Sequence, residues 1–360
     1  MTSIGDISTT RPAFTAATGT QTGARAVRIW LWSVAALVFL MVVVGGATRL
    51  TESGLSITEW RVVTGVIPPL SEAAWLVEFE KYKQIPQYSQ LFPNMGLGEF
   101  KTIFFWEWGH RILGRIIGFA FALPLAFFWA KGWLSRDLKP KLLGLLALGG
   151  LQGAVGWWMV KSGLTGRVEV AQERLAVHLL LASLTLTFLV WLAVGLKPKA
   201  AEALGAATSR LRATGTAILI LVLVQIGLGA LVAGLRAGLT YNTWPLMDGH
   251  FIPPLANLTS LSPLWANLVD NVTTVQFNHR MMAYALLALA IWHAFDAARA
   301  ASGTAAARRA RALAGLVLTQ AAIGVVTLVL VIPISVALLH QAFAMVVLMM
   351  AAIHRRRLAD

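Results

Sequence analysis

Eight apolar runs dominate the chain, at about 28–48, 111–131, 141–160, 174–196, 211–234, 279–298, 311–332 and 335–354. Each is roughly 17–25 residues long, enough to span the hydrocarbon core of a bilayer as a helix. Polar and charged positions gather between the runs. The pattern predicts an all-α polytopic membrane protein with eight transmembrane helices and both termini on one side. The first run gives way at Gly45-Gly46 to Arg49 and a connection of about fifty residues. Loops of that length are either functional or disordered, and its Trp, Tyr and Phe content predicts order.

The pattern occurs twice. Gly54 and Trp60 recur as Gly238 and Trp244, in a stretch that also carries Arg236, and Ile67-Pro68-Pro69 recurs as Ile252-Pro253-Pro254. His110-Arg111 then matches His279-Arg280, Gln152 and Gly156 match Gln320 and Gly324, and His178 matches His340. Repetition in the same helix order predicts two four-helix bundles, 28–196 and 211–354, related by a pseudo-two-fold along the membrane normal. A cytoplasmic linker, 197–210, joins them. Residues 1–27 are expected to form a disordered cytoplasmic tail, a short mitochondrial presequence being the minority reading, and 355–360 a basic cytoplasmic tail.

With 57% hydrophobic and 13% charged residues among 360, a soluble domain is excluded. The absence of cysteine removes disulfides, thiolate ligands and iron–sulfur clusters. A net charge of +14 is spread through the loops and marks topology rather than a nucleic-acid partner. Most of the Lys and Arg residues fall in the N-terminal tail, near 131–141, 197–212 and 299–311, and at Arg355–Arg357. Cytoplasmic loops carry that excess, so both termini are expected in the cytoplasm and the four matched histidines near the external face.

Glu107-Trp108-Gly109-His110-Arg111 is the polar stretch that least belongs at the mouth of an apolar segment. A lone histidine at a helix end is most often an interfacial hydrogen-bonding residue. A pair repeated at equivalent depth reads instead as axial ligation of haem iron, by His110 with His178 and by His279 with His340. Three residues before His110 stands Glu107; three before His279 stands Gln276. The first site can carry charge or exchange a proton, the second only hydrogen-bond, although an ion pair from Glu107 to Arg111 is the plainer role. Arg49, Arg111, Arg236 and Arg280 are candidate propionate contacts, with Arg111 and Arg280 favoured. His250 reads as a rim residue, the glutamines and glycines at 152, 153, 156, 225, 227, 229, 320 and 324 as close helix packing, and Trp106, Trp108, Trp157 and Trp158 as interface aromatics. A rival reading stacks two haems in the second half, because His293 follows His279 and His354 follows His340 by one interval of about four turns. The first half has Pro124 and Leu192 there, which counts against it.

These residues resemble the haem A synthase family, membrane enzymes that convert haem O to haem A for cytochrome oxidase assembly. The resemblance covers about 28–354 and rests on Gly45 to Ser56, Glu107 to Arg111, Gln152-Gly153 with Gly156, Thr243 to Met247 and the four histidines. It implies a substrate haem O on His110 and His178, a haem b cofactor on His279 and His340, and catalysis involving Glu107. The position-8 methyl would be oxidised through hydroxylated intermediates to a formyl group while the second haem relays electrons. A haem O synthase and an electron donor are the implied partners, and a bacterial inner membrane, or the mitochondrial one, the implied location; the oligomeric state stays open. Lacking the loop cysteine pair of the Bacillus type, the chain resembles the alphaproteobacterial and mitochondrial subgroup. A dihaem b-type electron-transfer cytochrome and a haem carrier are the other readings of the same ligands.

Overall fold

The computed structural model describes residues 16–61, 64–197 and 207–358. Among them eleven α-helices follow one another: α1 (Ala16–Leu50), α2 (Glu72–Lys83), α3 (Pro86–Leu91), α4 (Leu97–Ala130), α5 (Leu138–Gly163), α6 (Gln172–Gly195), α7 (Thr208–Gly234), α8 (Leu255–Leu258), α9 (Val272–Ala300), α10 (Ala305–Val329) and α11 (Ile334–Arg357). Eight of these, α1, α4 to α7 and α9 to α11, are long and apolar enough to cross a membrane. They correspond one to one with the predicted runs, and the chain is a multi-pass membrane protein.

Several boundaries differ from expectation. Helix α4 begins fourteen residues before the predicted span, at Leu97, where Glu99 Oε2 accepts from the Gly96 N–H at 2.9 Å and caps the first turn. Its added turns are amphipathic. Phe100 and Phe104 pack on Trp75 and Phe79 of α2, and Glu99, Lys101 and Glu107 break the apolar run that a hydropathy reading follows. Glu107 to Arg111 therefore lie well inside a helix rather than at its mouth. Helix α9 is likewise extended to Val272 by Asn271, whose Oδ1 accepts from Thr273 N and Thr274 N at 2.9 and 3.2 Å.

Helix α1 already runs from Ala16, so residues 16–27 are helical rather than disordered; residues 1–15 lie outside the described residues. Of the expected linker, 198–206 lies outside them too, and Thr208 already opens α7. Arg355 to Arg357 continue α11, with residues 359–360 again outside. The long first connection is ordered as predicted: α2 and α3 cover the start of α4 in an aromatic cluster that includes the fully buried Tyr82 and Phe100.

Helices α1, α4, α5 and α6 form one four-membered ring and α7, α9, α10 and α11 a second, and each neighbour pair in the first has its counterpart in the second. Across the seam α6 packs on α7 and α11, and α1 packs on α11. Leu31, Leu186, Ile218 and Leu348 lie in the shared core. Because lipid tails are as apolar as leucine, close packing and interhelical hydrogen bonds hold such helices together. At the seam Gln341 Nε2 donates to Val42 O at 2.6 Å, and Gly46 lies so close to the Gln341 amide that a Cβ would collide with it.

Candidate functional site

The four matched histidines come from α4, α6, α9 and α11, and all line one cavity of about 1650 Å³ that reaches into both rings. That exceeds the roughly 300–1,000 Å³ of a single drug-sized pocket. Each imidazole lies against a glycine. An added Cβ would stand 3.1 Å from His110 Nε2 at Gly45, 3.0 Å from His178 Cε1 at Gly156, 3.1 Å from His279 Cε1 at Gly229 and 2.8 Å from His340 Cε1 at Gly324. The glycines make ring-sized room beside each side chain. Three histidines are also held by a glutamine. Gln152 Nε2 lies 3.2 Å from His178 Nδ1, Gln225 Nε2 3.1 Å from His279 Nδ1, and Gln320 Nε2 3.2 Å from His340 Nδ1. Paired imidazoles, glycine cradles and a wide apolar cavity fit a planar haem in each ring.

Beside His110, Glu107 is buried and fully engaged. Its Oε2 accepts from Ser56 Oγ and Ile57 N, both at 2.8 Å, and its Oε1 from Arg111 Nε at 3.1 Å and Nη2 at 2.6 Å. Arg111 also donates to Ile57 O at 2.8 Å and Glu59 O at 2.9 Å. The second ring repeats this clasp. Arg280 donates to Tyr241 O at 2.9 Å, Thr243 O at 3.0 Å and Gln276 Oε1 at 3.2 Å, while Gln276 Nε2 donates to Ala237 O at 2.9 Å. One clasp contains a carboxylate that lines the cavity and the other an amide. Both the predicted ion pair and the predicted asymmetry are present.

The four arginines all line the cavity and fall into two pairs. Arg111 and Arg280 are tied to loop carbonyls, whereas Arg49 and Arg236 meet at the seam between the rings. Glu169 Oε2 lies 3.5 Å from Arg49, and Glu169 also pairs with Arg236, whose Nη2 is 2.5 Å from Glu52 Oε1. Arg49 donates in addition to Ala233 O. The register that matches Gly54 with Gly238 places Arg236 opposite Glu52, not Arg49, and both residues have a left-handed backbone, φ 50° and 56°. Burial raises the Glu52 carboxyl above its ordinary range, against the opposing pull of Arg236. Glu52 and Glu169 carried no assigned role in the sequence; an acid beside a span end was the one available signal. At the outer margin, a hydrogen bond from Lys81 lowers the Glu59 carboxyl.

The rings differ most between α4 and α5, the sparsest contact of any adjacent pair, while their counterparts α9 and α10 pack most closely. Gly118, Gly149, Gly150 and Gly153 line the cavity there and have nothing within 4 Å of an added Cβ. The matching positions are Leu287, Val317, Leu318 and Ala321.

His293 and His354 do not form a second ligand pair. Their Nε2 atoms are 2.7 Å apart, hydrogen-bonded to each other and buried, with Thr214 Oγ1 2.6 Å from His293 Nδ1. An axial pair would need about 4 Å between nitrogens, twice a metal–imidazole bond of about 2.0 Å. Their mutual hydrogen bond counts against the two-haem reading of the second ring. His250 is exposed, as expected for a rim residue. Trp106, Trp157 and Trp158 are exposed and outside the cavity lining, which Trp60 and Trp244 join instead.

The sequence pattern of the COX15-CtaA family, described as "Cytochrome oxidase assembly protein", matches residues 28–352. The chain is 61% identical to a protein named "Heme A synthase" from Beijerinckia indica over 96% of each chain. It is 59% identical to one of the same name from Methylobacterium sp. (strain 4-46), over 92% of this chain and 91% of that one. A third, from Bradyrhizobium diazoefficiens, is 58% identical over 93% and 92%.

Proposed function

From the premise that the chain belongs to the COX15-CtaA family of cytochrome oxidase assembly proteins, we propose that it is a haem A synthase, an oxidoreductase converting haem O to haem A. The relatives so named at 58–61% identity over nearly the whole chain support the activity. In our reading haem O is held between α4 and α6 by His110 and His178, and a resident haem b between α9 and α11 by His279 and His340. The matched rings support a pseudo-two-fold relation between the two sites. Lysine and arginine placement supports cytoplasmic termini in a bacterial inner membrane.

Turning a methyl into a formyl group adds one oxygen atom and, balanced against water, removes four electrons and four protons. By two successive hydroxylations it would balance as R–CH3 + 2 O2 + 4 e− + 4 H+ → R–CHO + 3 H2O, with dioxygen the oxidant and a separate donor supplying the electrons. Haem b, when bound, supplies an electron relay. The protein supplies a proton acceptor on the substrate side alone. The observation that carries this assignment is Glu107 where the other ring has Gln276. Ser56, the Ile57 N–H and Arg111 fix both oxygens of Glu107 and orient the carboxylate at the cavity wall. Positioned general bases contribute about 10²–10⁴-fold. Arg49 and Arg236, which line the cavity at the seam beside Glu169 and Glu52, and Arg111 and Arg280, which line it within the rings, are the cations it offers to the propionates. A haem O synthase supplying substrate and a separate electron donor complete the scheme.

The test is chromatographic identification of haems extracted from membranes of a haem-A-deficient host expressing this chain with a haem O synthase. Haem A or its hydroxylated precursor is expected with the wild type and lost in Glu107→Ala and His110→Ala. Haem B and haem O alone, from folded and haem-loaded wild-type protein supplied with reductant and oxygen, would replace this reading with an electron-transfer or carrier role.

A further inference from the structure

The four histidines are not held alike. Besides approaching the ring nitrogens, Gln152, Gln225 and Gln320 each donate Nε2 to the backbone carbonyl of their own histidine, at 3.1, 3.1 and 3.0 Å. Each leaves its Oε1 buried and without a partner among the described residues. Amide oxygen and nitrogen are interchangeable by a flip. In the orientation seen, each amide is fixed by that carbonyl and lies within 3.1–3.5 Å of both ring nitrogens of its histidine, which locates the imidazole; a turned amide would face its oxygen to the carbonyl and lose the bond. Groups that orient a ligating histidine matter to the bond it makes, and losing one typically costs ten- to a hundred-fold in metal affinity.

His110 has none: its side chain makes no hydrogen bond to any described residue. The reason lies four residues before its glycine. Gly45 on α1 and Gly229 on α7 occupy matching places beside His110 and His279, though Gly45 faces the Nε2–Cδ2 edge of its ring and Gly229 the Cε1–Nδ1 edge. One turn earlier on the same faces stand Met41 and Gln225. Met41 lines the cavity and turns toward α4, its Cε 3.3 Å from where a Cβ at Gly114 would lie, one turn past His110. A thioether has no N–H to offer the His110 carbonyl or ring.

We propose that His110 is the releasable axial ligand of the substrate haem, kept so by the positioning residue Met41, while the three glutamine-held histidines stay bound. This rests on the substrate-side assignment of His110 and His178. It resolves a conflict of requirements. A resident cofactor must stay, whereas a substrate must be admitted, exposed to its oxidant and released as product. Release of one side chain serves all three, and the free imidazole remains within the cavity, where it can return to the iron.

The experiment uses full-length, haem-loaded protein in detergent, comparing wild type, Met41→Gln, Met41→Leu and Gln225→Met. The readouts are carbon monoxide binding to the reduced protein, by absorption spectroscopy, and the low-spin signals of the oxidised protein, by electron paramagnetic resonance. The CO-reactive haem in the wild type is expected to be the substrate. Met41→Gln should lower CO affinity about ten- to a hundred-fold at unchanged haem content. Met41→Leu should behave as wild type, and Gln225→Met should make haem b newly CO-reactive. The proposal is overturned if Met41→Gln binds CO as the wild type does, if Met41→Leu loses reactivity as Met41→Gln does, or if Gln225→Met gains none. The last arm decides alone should Met41→Gln not accumulate. None of these readouts needs turnover, so failure here is distinct from failure to find haem A. Loss of haem O from His110→Ala separately tests the assignment on which the proposal rests.

Discussion

Replacing Glu107 by glutamine separates chemistry from structure, because the protein already contains the product of that change in its other half. At Gln276 an amide accepts from Arg280 and donates to Ala237 O, and the clasp closes. Around Glu107 the partners are instead donors. Ser56 Oγ and Ile57 N both point at Oε2, each 2.8 Å away, and Arg111 points at Oε1. A glutamine can keep Oε1 for Arg111, but its NH₂ then faces two donors. The Ser56 hydroxyl can turn to accept; the Ile57 N–H cannot. Hydrogen bonds to charged groups contribute about 1.5–3 kcal/mol, and an orphaned buried donor costs about 1–3 kcal/mol. With one of two contacts recovered, Glu107→Gln should lose about 2–4 kcal/mol. Glu107→Ala, which strips the half-buried Arg111 of its counterion, should lose more, up to about 3–5 kcal/mol. Thermal unfolding in detergent measures the first loss, and haem extraction measures the chemistry. Glu107→Gln should fold, keep haem b and bind haem O while forming haem A at least 100-fold more slowly. Wild-type product formation in a folded Glu107→Gln protein would refute a proton-accepting role. Loss of haem b along with the product would show that the residue acts only through the fold.

Three further outcomes follow from the geometry. Gly118→Leu with Gly150→Leu, which copies Leu287 and Leu318 into open space between α4 and α5, should exclude haem O and leave haem b content unchanged, read as the ratio of extracted haems. Glu52 has its carboxyl raised by burial, so the folded state binds this proton more tightly than the unfolded state. Its contribution favours folding at low pH and is lost as pH rises through the raised value. Glu52→Gln should therefore gain stability over wild type at pH 7–8, and the gain should vanish below about pH 4, where the wild-type carboxyl is protonated in both states; a difference independent of pH contradicts this. His293→Ala orphans the buried His354 Nε2 and should cost about 1–3 kcal/mol in thermal unfolding with both haems retained, whereas loss of haem b would mean that the pair reaches the cofactor site.

The eight spans were legible because a bilayer demands long apolar runs, and the repeat was legible because polar landmarks inside such runs are sparse enough to align. Helix starts were not. The first turns of α4 and α9 are fixed by Gly96 with Glu99 and by Asn271, and they lie on amphipathic extensions where apolar residues face α2 or a loop rather than lipid. Sequence brought His110, His178, His279, His340 and Glu107 to one cavity. It could not divide the arginines, since Arg111 and Arg280 differ from Arg49 and Arg236 only in what the chain folds against them. It missed Glu169, a lone acid in a short loop until α1 and α7 bring two guanidinium groups to it. The glutamines were visible as repeated positions, yet that Gln225 holds His279 while Met41 leaves His110 free needs the register of four helices at once.

The contact between α1 and α11 joins the first spanning helix of the chain to the last. During synthesis α1 enters the membrane with its Gly46 face uncovered, and the carbonyl of Val42 waits for Gln341, nearly three hundred residues later. The seam-side wall of the cavity is complete only once α11 lies against α1. On the function proposed above, haem binding would follow the docking of α11 on α1.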